Sequence, residues 1–221
     1  MPTFGFSAFL KMLSLSPRPQ RTEMRNRLLP SSGSGYDFHR QFRALANRYL
    51  SGGEDISRLM AETESYGNPA EGKQAREALK FIEEWRRDNP GNIHAFEART
   101  WTSPREFFKV KYTPDFGVEL KGVRTAVHIW KTQRPPLDMR MTYAALSLFP
   151  ELYLGTADGP EDFAVLSVVD GRLYRLSDVP DQSELGERVA RFIEGLILEI
   201  GDEIAPPAPR PSDGDQPGQR R

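Results

Sequence analysis

The hydrophobic pattern of the chain predicts an α/β protein. Three observations carry that prediction. Apolar residues recur at helical spacing through most of the first 90 residues, the pattern changes to period two after residue 92, and helical spacing returns twice later, between strands and after them. The resulting order is helices, three strands, a helix, two strands and a helix.

Each element has a local reason. Phe38, Phe42, Leu45 and Tyr49 share one helical face, and Gly52-Gly53 stops that helix. Glu54 to Ser65 forms a second helix, with Ile56, Leu59 and Met60 inward, and Gly67-Asn68-Pro69 breaks the chain. Pro69 opens a longer helix to Arg87, with Ala75, Leu79, Ile82 and Trp85 toward the core, and Asn89-Pro90-Gly91 ends it. Ile93 to Thr100 reads as a first strand and Phe107 to Leu120 as a long extended segment. Lys121-Gly122 turns the chain, and Thr125 to Thr132 returns as the next strand. Asp138 to Pro150 is a helix with Met141, Ala145 and Leu148 on one face. Phe163 to Val169 is a continuous apolar run, as expected of a strand buried on both faces. Asp170-Gly171 is a hairpin signal leading into Arg172–Leu176, and Asp181 to Ile200 is an amphipathic helix.

Composition bounds the function. The 221 residues are 38% AVILMFWYC with 18 glycines, the usual apolar share of a folded protein, which excludes wholesale disorder, collagen and silk. One domain with a sizeable core is expected at this length. No cysteine is present, so disulfides, thiolate nucleophiles and cysteine-ligated zinc or iron–sulfur centres are excluded. That usage fits a reducing compartment, and a cytoplasmic location is expected. The stretch Phe4–Leu15 is about half a membrane span and carries Lys11. It lacks a basic region ahead of it and a small-residue cleavage site, so neither a span nor a secretory signal is expected. Phe6, Phe9, Leu10 and Leu13 share a face of this segment. It reads as a short helix docked on the domain, or as an arm offering residues 1–15 to a protein partner. The domain reading is therefore an N-terminal arm over 1–30 and a single α/β domain over 31–203. Within that domain, 31–90 is helical and 91–203 holds the sheet and the last helix. A disordered Pro-rich tail over 204–221 completes the chain.

The net charge of −1 hides an uneven distribution. Residues 1–50 carry eight basic and two acidic side chains, and residues 101–150 carry eight and four. Residues 51–100 and 151–221 are acidic in balance, with seven against ten and seven against fifteen. If the two basic segments converge in space they make a phosphate-friendly face. Otherwise they pair with the acidic ones.

The common catalytic signatures are absent: no P-loop, no GxGxxG, no GxSxG and no HExxH. What remains is an ordered set, with His39 on a helix, Asp115 after Pro114, Lys131 at the end of the next strand and Tyr143 in the helix that follows. Metal-assisted phosphodiester cleavage needs carboxylates to hold a hard divalent cation. It also needs a cation near the scissile phosphate, a role a lysine fills. Alternation groups Asp115 with Gly117 and Glu119, and Val127 with Ile129 and Lys131; register decides whether those two faces coincide. Each member of the set also has a purely structural reading. His39 serves equally as a core or rim histidine, Asp115 as a turn residue, Lys131 as an exposed strand end and Tyr143 as a packed aromatic.

In that order and spacing, residues 30–200 resemble the PD-(D/E)XK phosphodiesterase superfamily, most closely its RecB-type exonuclease branch. The resemblance runs through Gly35-Tyr-Asp-Phe-His39 with Gly52-Gly53, Thr113-Pro-Asp115-Phe, Ile129-Trp-Lys131-Thr132 and Met139-Arg-Met-Thr-Tyr143-Ala144. It implies a mixed central β-sheet flanked by helices, a restriction-endonuclease-like core. It also implies Asp115 and Lys131 as catalytic residues, and Asp115 and His39 as ligands of Mg or Mn. The chain departs from the pattern at three places. Ile129 stands where the second carboxylate is expected, Met139 replaces a glutamine, and Tyr112 replaces a glycine. With Asp115 and His39 alone a hard cation site is poor. Glu119 and His128 are the replacement ligands to consider. Glu119 lies about 13 Å along the strand from Asp115 at ~3.3 Å per residue, and reaches the same ion only through a bend at Gly117.

Three functions follow. The first is a nuclease-like domain with impaired catalysis that retains nucleic-acid binding. The second is a non-enzymatic interaction or regulatory protein on the same scaffold. The third is an active Mg- or Mn-dependent DNA exonuclease or endonuclease with a migrated ligand.

Overall fold

The computed structural model describes residues 1–29 and 40–204. Its architecture is mixed α/β, with two sheets of three and five strands. His39 and the tail from residue 205 lie outside the described residues.

The chain opens with a short strand, β1 (Thr3–Gly5), which runs straight into helix α1 (Phe6–Leu13). Gly5 caps that helix without a side-chain bond, so the first-turn N–H groups have no capping side chain. Phe6, Phe9, Leu10, Met12 and Leu13 are all buried. The apolar face noted in the sequence is therefore part of the core, as a docked helix would have it. Helix α2 (Pro17–Leu28) starts on prolines and is tied to the last helix through Arg21 and Arg25, both paired with Glu203.

Helix α3 (Arg40–Gly52) and helix α4 (Ile56–Glu62) are followed by a 3-10 turn over Thr63–Ser65 and helix α5 (Pro69–Asp88). The Asp55 side chain caps α4 and the Asn68 side chain caps α5, each accepting from first-turn amides. The extended region predicted over 93–100 is two pieces, β2 (Ile93–His94) and β3 (Arg99–Thr102), which belong to different sheets. The segment read as one extended run over 107–120 is also divided, into β4 (Lys109–Tyr112) and β5 (Phe116–Leu120). The break falls at Thr113-Pro114, where proline removes a ladder donor. β5 turns at Lys121-Gly122, both with positive φ (53° and 81°), into β6 (Val123–Trp130).

Helix α6 (Met139–Leu146), capped by Asp138, carries the chain from β6 to β7 (Asp162–Ser167), and the two strands pair in parallel. β8 (Arg172–Arg175) returns antiparallel beside β7, and helix α7 (Ser183–Ile204) closes the described chain. The larger sheet has the order β2-β5-β6-β7-β8, and the smaller has β1-β4-β3.

The five-stranded sheet divides the core. Ala126, Trp130, Phe163, Val165 and Tyr174 pack with α1, α6, α7 and the smaller sheet. Phe116, Val118, Val127, Ile129, Ala164 and Leu166 pack with α3, α4 and α5 on the other side. β7 is buried at all six positions, as its unbroken apolar pattern requires. Tyr112 lies in the first of these cores, its hydroxyl donating to the Ala126 carbonyl at 3.1 Å. That packing accounts for the large side chain at this position.

Candidate functional site

A cleft of about 710 Å³ opens where the carboxyl end of β6 meets the start of α1. Its position follows a general rule of α/β sheets, in which crevices form beyond the carboxyl ends of parallel strands. Among the described residues that line it, Asp115 is the one carboxylate. The bases are Lys11, Arg27, Arg43, Lys111 and Lys131. Lys11, Arg27 and Arg43 come from the first basic segment of the sequence, and Lys111 and Lys131 from the second. Glu23 offsets part of this charge, standing 3.4 Å from Lys11 and 2.8 Å from Arg27.

Register decides which polar groups meet. Phe116 pairs with Val127, and both point to the α3–α5 side. One residue further along, Asp115 and His128 therefore fall on the α1 side. Asp115 is held there by its own backbone, its N–H donating to the Val127 carbonyl at 2.9 Å. Its Oδ2 accepts from the Ile129 N–H at 2.7 Å and stands 3.0 Å from Nδ1 of His128. That second approach lies off the line of the ring N–H, so it is a close polar contact and not an aligned hydrogen bond. His128 is 4% exposed and packs edge-on against Phe6, centroids 5.1 Å apart. Its Nε2 lies 2.7 Å from Oγ of Ser7, the second residue of α1. Arg43 Nη1 donates to the same Oγ at 3.4 Å.

Lys131 shares the alternation of Val127 and Ile129, so the register puts it on the opposite side of the sheet from Asp115. Its Nζ lies 4.5 Å from the centre of the Phe42 ring and has no hydrogen-bond partner among the described residues. Burial lowers its pKa to about 8, outweighing the attraction of Glu71 and Glu77. Asp115 and Lys131 thus line one cleft without sharing one face. Ile129 is a core residue, 3% exposed, whose contribution to the cleft is the N–H that holds Asp115. Tyr143 is not among the cleft residues; it packs edge-on against Tyr174 at 6.1 Å.

The two replacement ligands separate. The β5–β6 ladder runs unbroken from Phe116–Val127 to Leu120–Val123, so no bulge at Gly117 brings Glu119 back. Glu119 stays at the far end, bonded to Asn92 at 3.1 Å. His128 does meet Asp115, but with an imidazole facing a single carboxylate already engaged by a backbone N–H. Among the described residues there is no group of three His, Cys, Asp or Glu side chains placed to share an ion. The donors among the described residues do not fit a hard divalent cation, which takes several oxygen ligands.

Ser7 is the residue that sequence reasoning missed. It sits inside an apolar run with no motif around it, and only the folded chain brings it to His128, 121 positions away.

No helix among the described residues is long and apolar enough to cross a membrane. No family model matches the chain. No curated protein matches it either. Among solved structures, one described as "Crystal structure of SSO0001" is similar over 88% of this chain and 94% of its own, at 14% identity and a TM-score of 0.32, a likeness too slight to carry an argument.

Proposed function

We propose that the chain is a nuclease-like domain of the PD-(D/E)XK kind that binds nucleic acid and has lost its divalent-metal centre. The observation that carries this reading is the convergence of both basic segments on one cleft around Asp115. A phosphate backbone is the polyanion that such a lining suits, because each lysine or arginine that meets a phosphate releases condensed counterions. The topology supports the same reading. β5 and β6 form the antiparallel pair that carries Asp115 and leads to Lys131, and α6 then leads to a parallel β7. The impairment follows from the donor set, since Ile129 supplies no oxygen and Glu119 stands at the other end of the sheet.

Fluorescence anisotropy with single-stranded DNA, duplex DNA and RNA tests this. Affinity should fall steeply between about 50 and 200 mM salt. Lys111→Ala and Arg27→Ala should each weaken binding whatever the sequence, and each should lower the log–log salt slope by about 1. Absence of binding to all three probes at low salt would refute the reading.

A further inference from the structure

We infer that Ser7, His128 and Asp115 form a nucleophile–base–orienter relay that cleaves a phosphodiester in the cationic cleft without a metal ion. The inference rests on the nucleic-acid reading of the same cleft and adds the chemistry.

The geometry has each part that such a relay needs. Ser7 is half-buried at the first turn of α1, next to the open cleft, while its neighbour Phe6 is locked in the core. His128 is almost fully buried, and its Nε2 is aimed at the Ser7 hydroxyl at 2.7 Å. Asp115 stands behind the ring, 3.0 Å from Nδ1, and is fixed by the Ile129 N–H. The off-line approach to Nδ1 is the kind of contact that tightens only when substrate binds. In the tautomer that carries its proton on Nδ1, the nitrogen nearer Asp115, Nε2 is the acceptor for the Ser7 proton. Arg43 reaches the nucleophile oxygen itself, at 3.4 Å. The first-turn N–H groups of α1 have no capping side chain, and Gly5, Phe6, Ser7 and Ala8 line the cleft, where negative charge on a phosphoryl oxygen would develop.

The lining selects the substrate. A neutral ester has no use for Lys11, Arg27, Arg43, Lys111 and Lys131, whereas a phosphodiester does. In the first step His128 Nε2 takes the Ser7 proton as Oγ bonds to phosphorus. The bond from phosphorus to the leaving sugar oxygen breaks, and that oxygen takes the proton from Nε2. Water then attacks the phosphoseryl group with its proton passing to Nε2, the P–Oγ bond breaks, and Oγ recovers a proton. The products are a phosphomonoester end and a free hydroxyl end, and the sum consumes one water.

The test uses the full chain treated with a chelator and incubated with fluorescent single-stranded DNA, duplex DNA and RNA. Binding is followed by anisotropy, cleavage on denaturing gels and adducts on the protein by mass spectrometry. The expected result is chelator-resistant cleavage of at least one probe and a nucleotide-sized adduct on the peptide that carries Ser7. Ser7→Ala should lose the adduct, and its cleavage should fall by roughly 10²- to 10⁴-fold, the range that proton-transfer catalysis supplies. The adduct on Ser7 is the readout that a merely structural serine would not give, since loss of its hydroxyl also leaves the buried His128 Nε2 unpaired and should lower the thermal midpoint somewhat. His128→Gln should reduce cleavage similarly and flatten its pH profile. Binding without chelator-resistant cleavage overturns the inference and leaves the binding reading intact, as does cleavage indifferent to Ser7→Ala. Absence of binding to any probe overturns both.

Discussion

Replacing Lys131 by methionine should make the protein more stable and its cleft a poorer ligand for polyanions. The ammonium sits over Phe42 with no hydrogen-bond partner among the described residues, and burial holds its pKa at about 8 against an ordinary 10.5. At 1.36 kcal/mol per tenfold change in proton affinity, that fall corresponds to about 3 kcal/mol of disfavoured charge. Motion of the flexible stem toward the cleft relaxes much of this, so a gain of roughly 1–2 kcal/mol at pH 7 is expected for Lys131→Met. The sign of the pH dependence is set by linkage. Between pH 8 and 10.5 the unfolded chain still binds the proton that the folded chain has released, so the wild type gains stability as pH rises through that window. Below pH 8 the full cost of the buried charge is present. Methionine has nothing to titrate, so the advantage of the variant should be largest near neutrality and vanish toward pH 10.5. Urea denaturation of both proteins at several pH values measures this directly. A variant that is less stable at pH 7, or whose advantage does not change with pH, would refute the reasoning. The same variant should bind DNA more weakly, the usual exchange of function for stability at a site.

Two further predictions concern the scaffold. Asp162, 3% exposed, accepts from Arg175 at 2.9 Å and from the Ser177 hydroxyl at 2.7 Å. Asp162→Ala should cost about 2–4 kcal/mol in denaturant unfolding because it strands a largely buried guanidinium, and Arg175→Met in the same chain should recover part of it; a loss well below ~1 kcal/mol would contradict this. A Cβ at Gly91 would lie 1.7 Å from the Glu119 carbonyl oxygen, whereas Gly67 has open space around it. Gly91→Ala should therefore lower the thermal midpoint by several degrees, an overpacking cost of roughly 1–3 kcal/mol, with Gly67→Ala as the near-neutral control.

The relation between Asp115 and its neighbours shows why the site was only partly legible beforehand. The sequence suggests Asp115 and Lys131 as partners, because alternation and chain order are all it offers. The β5–β6 register instead pairs Asp115 with His128 and turns Lys131 to the other side of the sheet. A shift of one residue would reverse both, and the two-residue turn at Lys121-Gly122, which pairs Leu120 with Val123, holds the register in place. Glu119 failed to join the cleft for a related reason: an unbroken ladder keeps it four residue steps along the strand from Asp115.

The amino-acid sequence alone determined the class of fold, the helices opened by Asp55, Asn68 and Asp138, the turn at Lys121-Gly122 and the doubly buried strand β7, because these depend on periodicity and on contacts a few residues apart. It also held the two blocks of positive charge. Tertiary structure alone decided that Phe107–Leu120 divides between two sheets, that the first helix lies inside the core, and that Ser7 reaches His128 across 121 positions. Those outcomes rest on pairing between distant strands and on the packing of whole faces, which the local pattern of residues leaves open.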